Sequence, residues 1–248
     1  MPFTFSHPAL VLPLLYVRPR LRWLSVTGLV AGSIAPDFEK FGRLAVINQH
    51  SHSVASIFYF SCPVALLIAF VFHGLVRQPL LAHLPAALQQ RLAPFGHLAW
   101  APYLRTHVGG VLLSIVVGAA LHLLWDSFTH NNTVVTDVMP GLMHWIRVGP
   151  WEGPWVLVLA LISSVVGLLV QGWALWRLPR IVTGPGPTLR SIARYWGMVA
   201  GVATVLVAAW GLAARPGLVS LGLAAITATL LGLMVASWLF RERNAEEL

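Results

Sequence analysis

Apolar residues gather along this chain into long blocks without Asp, Glu, Lys or Arg, and arginines and prolines collect between them. The blocks are Ser53–Val76, Thr106–Trp125, Pro154–Trp176, Tyr195–Ala214 and Pro216–Phe240. A helix needs about 20 mostly apolar residues to cross the roughly 30 Å hydrocarbon core of a bilayer. Each block meets that length. The pattern predicts an all-α, polytopic integral membrane protein with about five transmembrane helices.

The N-terminal region reads differently. Two shorter apolar stretches, Pro8–Val17 and Leu24–Ala35, flank a basic turn, Arg18–Arg22. Helices rise about 1.5 Å per residue, so neither stretch spans comfortably. They are expected as a short helical pair, half-spanning or interfacial. Irregular backbone between them must be buried in protein or line a wet cavity. The first full span is expected from Ser53 to Val76. A polar loop with one amphipathic helix, Arg77–Arg105, should follow. The second span is placed from His107 to Phe128, before a loop holding Asn131, Asn132, Asp137 and Trp151. This divides the chain into a module at residues 1–145 and a three-span bundle at residues 146–248.

Composition supports the membrane reading. The chain is 57% hydrophobic and only 10% charged, against about 25% charged in soluble domains. So few charges cannot cover a soluble surface. The net charge of +8 raises nucleic acid as a partner. However, the arginines sit beside the apolar blocks, as juxtamembrane anchors do, and no basic run is interleaved with aromatics. Membrane lipids are therefore the expected partners, and nucleic acid is not. The single Cys62 excludes a disulfide framework and a cysteine-based zinc site. The N-terminus lacks the basic region of a standard signal peptide.

Loop arginines set the expected orientation. One side carries Arg77, Arg91, Arg105, Arg177, Arg180, Arg190, Arg194, Arg241 and Arg243, and the other carries Arg147 and Arg215. The first side is predicted cytoplasmic, in a multi-pass protein of a bacterial inner membrane. Arg18, Arg20 and Arg22 oppose this unless a Pro8–Ala35 hairpin carries its tip across.

The ionisable residues are not scattered. His122, Asp126 and His130 follow one another at intervals of four, which places them on one helix face. Imidazole and carboxylate at that spacing can share a cation, and both are good zinc ligands. Ionisable groups within a span are costly and functional by default. Three further groups precede them: Ser6-His7-Pro8, Pro36-Asp37-Phe38-Glu39 and His50-Ser51-His52-Ser53. His52 begins the first span, and the second span ends at His130. Antiparallel neighbours bring these ends to one membrane face. Asp37, His52, His122 and Asp126 are expected as a four-ligand set, with His7 able to share Asp126 in a second site. His73, His83, His97 and His107 belong to the opposite face.

Four segments carry a resemblance. They are Met1-Pro2-Phe3-Thr4-Phe5-Ser6-His7-Pro8, Gly32-Ser33-Ile34-Ala35-Pro36-Asp37, His50-Ser51-His52-Ser53, and His122 through His130. Together they resemble a bacterial family of uncharacterised membrane proteins. That family is similar to membrane-bound predicted metal-dependent hydrolases, which share an N-terminal His, a Pro-Asp, a Thr/Ser-His-Ser and a His-x-x-x-Asp. A more distant resemblance is to the all-helical zinc-dependent phospholipase C and single-strand nuclease group. His7, Asp37, His52, His122, Asp126 and His130 follow the order of that group's ligands, and His144 can extend it. Val148 then stands where that group has Glu, and the chain opens Met1-Pro2 where that group uses a free amine. The resemblance therefore implies one or two divalent ions, with zinc expected first, rather than three.

The first functional expectation is a membrane-bound metal-dependent hydrolase acting on a lipid or phosphoester-type substrate. Asp37 or Asp126 would orient the attacking water, and His7 or His130 would assist proton transfer. The second is a non-catalytic protein with a structural His/Asp cluster. The third is a transporter or proton relay, which would need polar residues continuing across the bilayer.

Overall fold

The computed structural model describes residues 2–17, 21, 23–131, 133–181, 184 and 186–241. Arg18, Arg20, Arg22, Asn132 and Arg243 lie outside the described residues. Five helices are long and apolar enough to cross a membrane: Ile57–Ala82, Trp100–Ser127, Trp155–Arg177, Leu189–Ala214 and Leu218–Arg241. They are called the first to fifth spans below.

The first two spans differ in extent from the sequence expectation. The first begins at Ile57, because Ser53 and Ser56 close a reciprocal turn ahead of it. The Ser53 N–H donates to Ser56 Oγ at 2.9 Å, and the Ser56 N–H donates to Ser53 Oγ at 3.1 Å. It then continues past Arg77. Two π-helical turns, Ile57–Ser61 and Phe72–Val76, lie shortly before Pro63 and Pro79. A widened turn is one way to absorb the N–H that each proline lacks. The second span starts at Trp100 and is interrupted at His107, whose φ of −127° and ψ of 25° are not helical. Just before it, the Thr106 hydroxyl donates back to the carbonyls of Pro102 and Tyr103, a contact that bends helices. The helix expected in the intervening loop is Ala86–Leu92.

One element departs from the all-helical pattern. Trp145–Val148 and Trp151–Pro154 form a small antiparallel hairpin after the second span. Gly149 turns it with a φ of +60°.

The chain divides into two compact units. One comprises Met1–Asp37, Gln49–Leu66 and His107–Leu175. The other comprises Phe38–Asn48, Leu67–Thr106 and Trp176–Leu248.

In the first unit, the short helices are those the N-terminal pattern implied. A 3-10 helix, Thr4–Val11, runs into Leu12–Val17. The half-helix Val26–Ile34 is capped by Ser25, which accepts from the Gly28 N–H at 3.2 Å. Val11, Leu24 and Leu29 form a small apolar core there. The half-helix lies against the second span through glycines on both partners. A Cβ on Gly32 would stand 2.3 Å from the Ile115 carbonyl oxygen, and one on Gly118 would stand 2.3 Å from that of Leu29. In lipid, where apolar burial between helices drives little, such close backbone approach is what holds them. The N-terminal segment is tied to the third span. The Phe3 N–H donates to Ser164 Oγ at 2.8 Å, and Gln171 Nε2 donates to the Phe5 carbonyl at 2.9 Å.

In the second unit, the fourth and fifth spans form a helical hairpin. Gly232 takes its place against the Val199 carbonyl oxygen, which a Cβ would approach to 2.6 Å. The buried hydroxyls of Tyr195 and Ser237 share a hydrogen bond of 2.8 Å.

Candidate metal centre

All six residues proposed from sequence as ligands fall within the first unit. His122 and Asp126 come from the last turns of the second span and are separated by one helical turn. Asp37 ends the 3-10 turn Ala35–Asp37 that extends the half-helix. His7 is in the 3-10 helix Thr4–Val11. His52 sits in the turn before the first span, rather than on it. The helix expected to carry His130 ends at Ser127. His130 lies in the turn beyond and folds back, its Nδ1 donating to the Asp126 carbonyl at 3.0 Å.

Asp37, His52, His122 and Asp126 each offer one ligand atom, and these atoms all lie within 4.8 Å of one another. His52 Nε2 is 3.6 Å from Asp37 Oδ1 and 3.3 Å from Asp126 Oδ2. His122 Nε2 is 3.7 Å from Asp37 Oδ1 and 3.4 Å from Asp126 Oδ2. Bonds of 2.0–2.1 Å to a tetrahedral ion imply ligand–ligand edges of about 3.3–3.4 Å. Four edges of the cluster are at or slightly above that length, so the donor set fits a divalent cation such as zinc.

The imidazoles are held from behind. His122 Nδ1 donates to the Ser33 carbonyl at 2.7 Å, and His7 Nδ1 donates to the Thr4 carbonyl at 3.2 Å. A carbonyl only accepts, so each of these Nδ1 atoms carries a hydrogen. His52 Nδ1 is engaged by the Ser51 hydroxyl at 2.7 Å. Thus the Nε2 atoms of His7, His52 and His122 all face carboxylate oxygens. A cation between these nitrogens and the carboxylates would satisfy both sides. Consistent with this, His122 Nε2 and Asp126 Oδ2 are buried and have no hydrogen-bond partner among the described residues. Metal-bound histidines almost always donate their other N–H to a carbonyl, carboxylate or water in this way.

Asp126 divides its oxygens. While Oδ2 faces His52 and His122, Oδ1 lies 3.1 Å from His7 Nε2. The rings of His7 and His122 stack with centroids 4.0 Å apart. Access comes from one side: the His7 and His122 side chains are 0% exposed, whereas those of His52 and His130 are 12% and 22% exposed.

Three supporting groups were not singled out from sequence. Thr4 Oγ1 donates to Asp37 Oδ2, and Ser33 and Ser51 orient His122 and His52. Thr4 lies one helical turn before His7, and Ser51 adjoins His52, so each adjoins a residue already suspected. His144 lies at the foot of the hairpin and is not in the four-ligand set.

The chain belongs to the family described as Domain of unknown function (DUF4184), which matches residues 1–238. No curated protein and no solved structure gives a significant match to the chain.

Proposed function

We propose that this member of a family of unknown function is a membrane-bound, metal-dependent hydrolase of a bacterial inner membrane. Its substrate would be a lipid or lipid-linked phosphoester. Asp37, His52, His122 and Asp126 would hold one divalent ion, zinc first, and His7 with Asp126 Oδ1 would hold a second where two are bound. The observation that carries this reading is the convergence of His52 Nε2 and His122 Nε2 on the Asp37 and Asp126 carboxylates across edges of 3.3–3.7 Å.

A divalent ion bound there supplies a Lewis acid that polarises a phosphoryl or acyl oxygen and acidifies water. The chain's own groups do the rest. Thr4 fixes the Asp37 carboxylate, and Ser33 fixes the His122 ring. Asp37 or Asp126 would orient the attacking water, and His7 or His130 would assist proton transfer. The burial of His7 and His122 keeps water from the rear of the site. Short apolar segments around the site favour a substrate that arrives from the membrane.

The reading is tested by metal analysis of detergent-purified protein, together with hydrolysis of a fluorogenic phospholipid and a soluble phosphodiester. The wild type should carry about one equivalent of zinc or more and release product, and His122→Ala should lose both. Zinc retention without any hydrolysis would move the centre to the structural reading.

A further inference from the structure

A second polar cluster lies in the other unit, where nothing in the hydrolase reading uses it. Arg77 Nη1 donates to His73 Nδ1 at 2.9 Å. The His73 ring stacks on the indole of Trp100, with centroids 4.9 Å apart and planes 12° apart. Arg77 and Trp100 are buried, at 6% and 5% exposure. Even so, Arg77 Nε and Trp100 Nε1 have no hydrogen-bond partner among the described residues.

Both atoms are obligate donors. Tryptophan Nε1 can only donate, and the guanidinium keeps its charge at any relevant pH. Among the described residues, no ion pair joins Arg77 to a carboxylate. A buried cation without a counter-charge and a buried N–H without an acceptor are both costly. An anion with more than one acceptor oxygen would complete both. Phosphate meets this: it takes several N–H donors at once, and guanidinium groups pair with it strongly. Trp100 is also the first residue of the second span, where the helix dipole favours negative charge.

The surroundings say how such a group would arrive. Arg77 is in the last turns of a membrane-spanning helix. Phe70, 45% exposed, meets Trp100 edge-on at 6.1 Å. An apolar rim beside recessed donors suits a phosphate that carries acyl chains.

We infer that Arg77 and Trp100, aligned by His73, form a binding site for a phosphate group, carried by an anionic lipid headgroup or free in solution.

The test uses delipidated full-length protein in detergent. Its thermal midpoint is followed while phosphatidylglycerol, diacylglycerol or inorganic phosphate is titrated. Phosphatidylglycerol should raise the midpoint, and diacylglycerol, which lacks phosphate, should not. Trp100→Phe keeps the stacked ring and loses the N–H, so apparent affinity should fall roughly tenfold, the loss expected for one hydrogen bond to a charged group. Arg77→Gln should lose the response. If Arg77→Gln does not fold, Trp100→Phe decides alone. A response to phosphatidylglycerol only assigns the site to lipid, and an equal response to inorganic phosphate assigns it to the free anion. An equal response of wild type and Trp100→Phe, or no wild-type response to either ligand, overturns the inference.

Discussion

His7 and Asp126 are 119 residues apart in sequence, and His7 Nε2 lies 3.1 Å from Asp126 Oδ1. The other oxygen of the same carboxylate faces His52 and His122 at 3.3 and 3.4 Å. One side chain therefore connects the N-terminal segment to the four-ligand set. His7→Ala should leave that set in place, and the protein should retain one tightly held equivalent of zinc with affinity weakened by about 10–100-fold. Competition with a zinc chelator measures this. Complete zinc loss in His7→Ala, matching His122→Ala, would make His7 a ligand of the principal ion.

Thr4 should matter through Asp37. Its hydroxyl donates to Asp37 Oδ2 within a buried pocket. Thr4→Val keeps the shape and removes the donor, and metal affinity should fall roughly 10–100-fold, as for other outer partners of metal ligands. Thr4→Ser should restore it. A Thr4→Val protein that binds zinc as tightly as wild type would show that Asp37 needs no such support.

The membrane spans were legible because lipid leaves few alternatives: long charge-free blocks had to be helices. Their ends were less so. Nothing in the composition marks the Ser53/Ser56 turn that delays the first span to Ile57, or the carbonyl back-bonding by Thr106 that kinks the second at His107. The hairpin at residues 145–154 was hidden by a short, tryptophan-rich loop with no alternating pattern. At the site, the His122/Asp126 pair followed from helical spacing, and the approach of His52 from antiparallel neighbours. His130 followed the same spacing rule, but the helix ends at Ser127, and a turn brings the ring back instead. The support from Thr4 and Ser33 had no signal of its own, since one is a hydroxyl among many and the other acts through its backbone carbonyl. In the sequence Arg77 reads as a loop arginine and Trp100 carries no signal of its own, because sequence alone does not reveal that a donor lacks its acceptor.

The loop arginines predict a cytoplasmic face at Arg77–Arg105 and Arg177–Arg194, and the candidate metal centre would then open on the outer face. A cysteine at Asn131, in a Cys62→Ser background, should react with a membrane-impermeant maleimide in intact spheroplasts. A cysteine at Gln90 should react only after the membrane is opened. Labelling in the reverse pattern would invert the protein and place the centre in the cytoplasm.

The Tyr195–Ser237 hydrogen bond provides a control far from this chemistry in sequence. Tyr195→Phe removes one buried hydroxyl between the fourth and fifth spans. It should lower stability by about 0.5–1.5 kcal/mol and leave zinc content unchanged. Loss of zinc in this variant would mean that metal binding reports general stability rather than the site.

Gly118 tests whether close helix packing sets the centre. The second span meets the half-helix at Gly118, where a Cβ would stand 2.3 Å from the Leu29 carbonyl oxygen and 2.8 Å from the Ser33 nitrogen. These are backbone atoms, so no side chain can rotate away, and the helices must separate. One turn further along the same contact, His122 Nδ1 reaches the Ser33 carbonyl at 2.7 Å. Separation would stretch that bond and carry His122 away from Asp37, because the two residues sit on opposite partners. Gly118→Val should therefore destabilise the protein by about 1–3 kcal/mol, the usual cost of overpacking, and also lower zinc occupancy. Gly109→Ala serves as the comparison, since a Cβ there meets nothing within 4 Å. It changes helix propensity alone and should leave zinc binding intact. Equal zinc content in Gly118→Val and Gly109→Ala, measured on folded protein, would show that the ligands assemble without this helix contact.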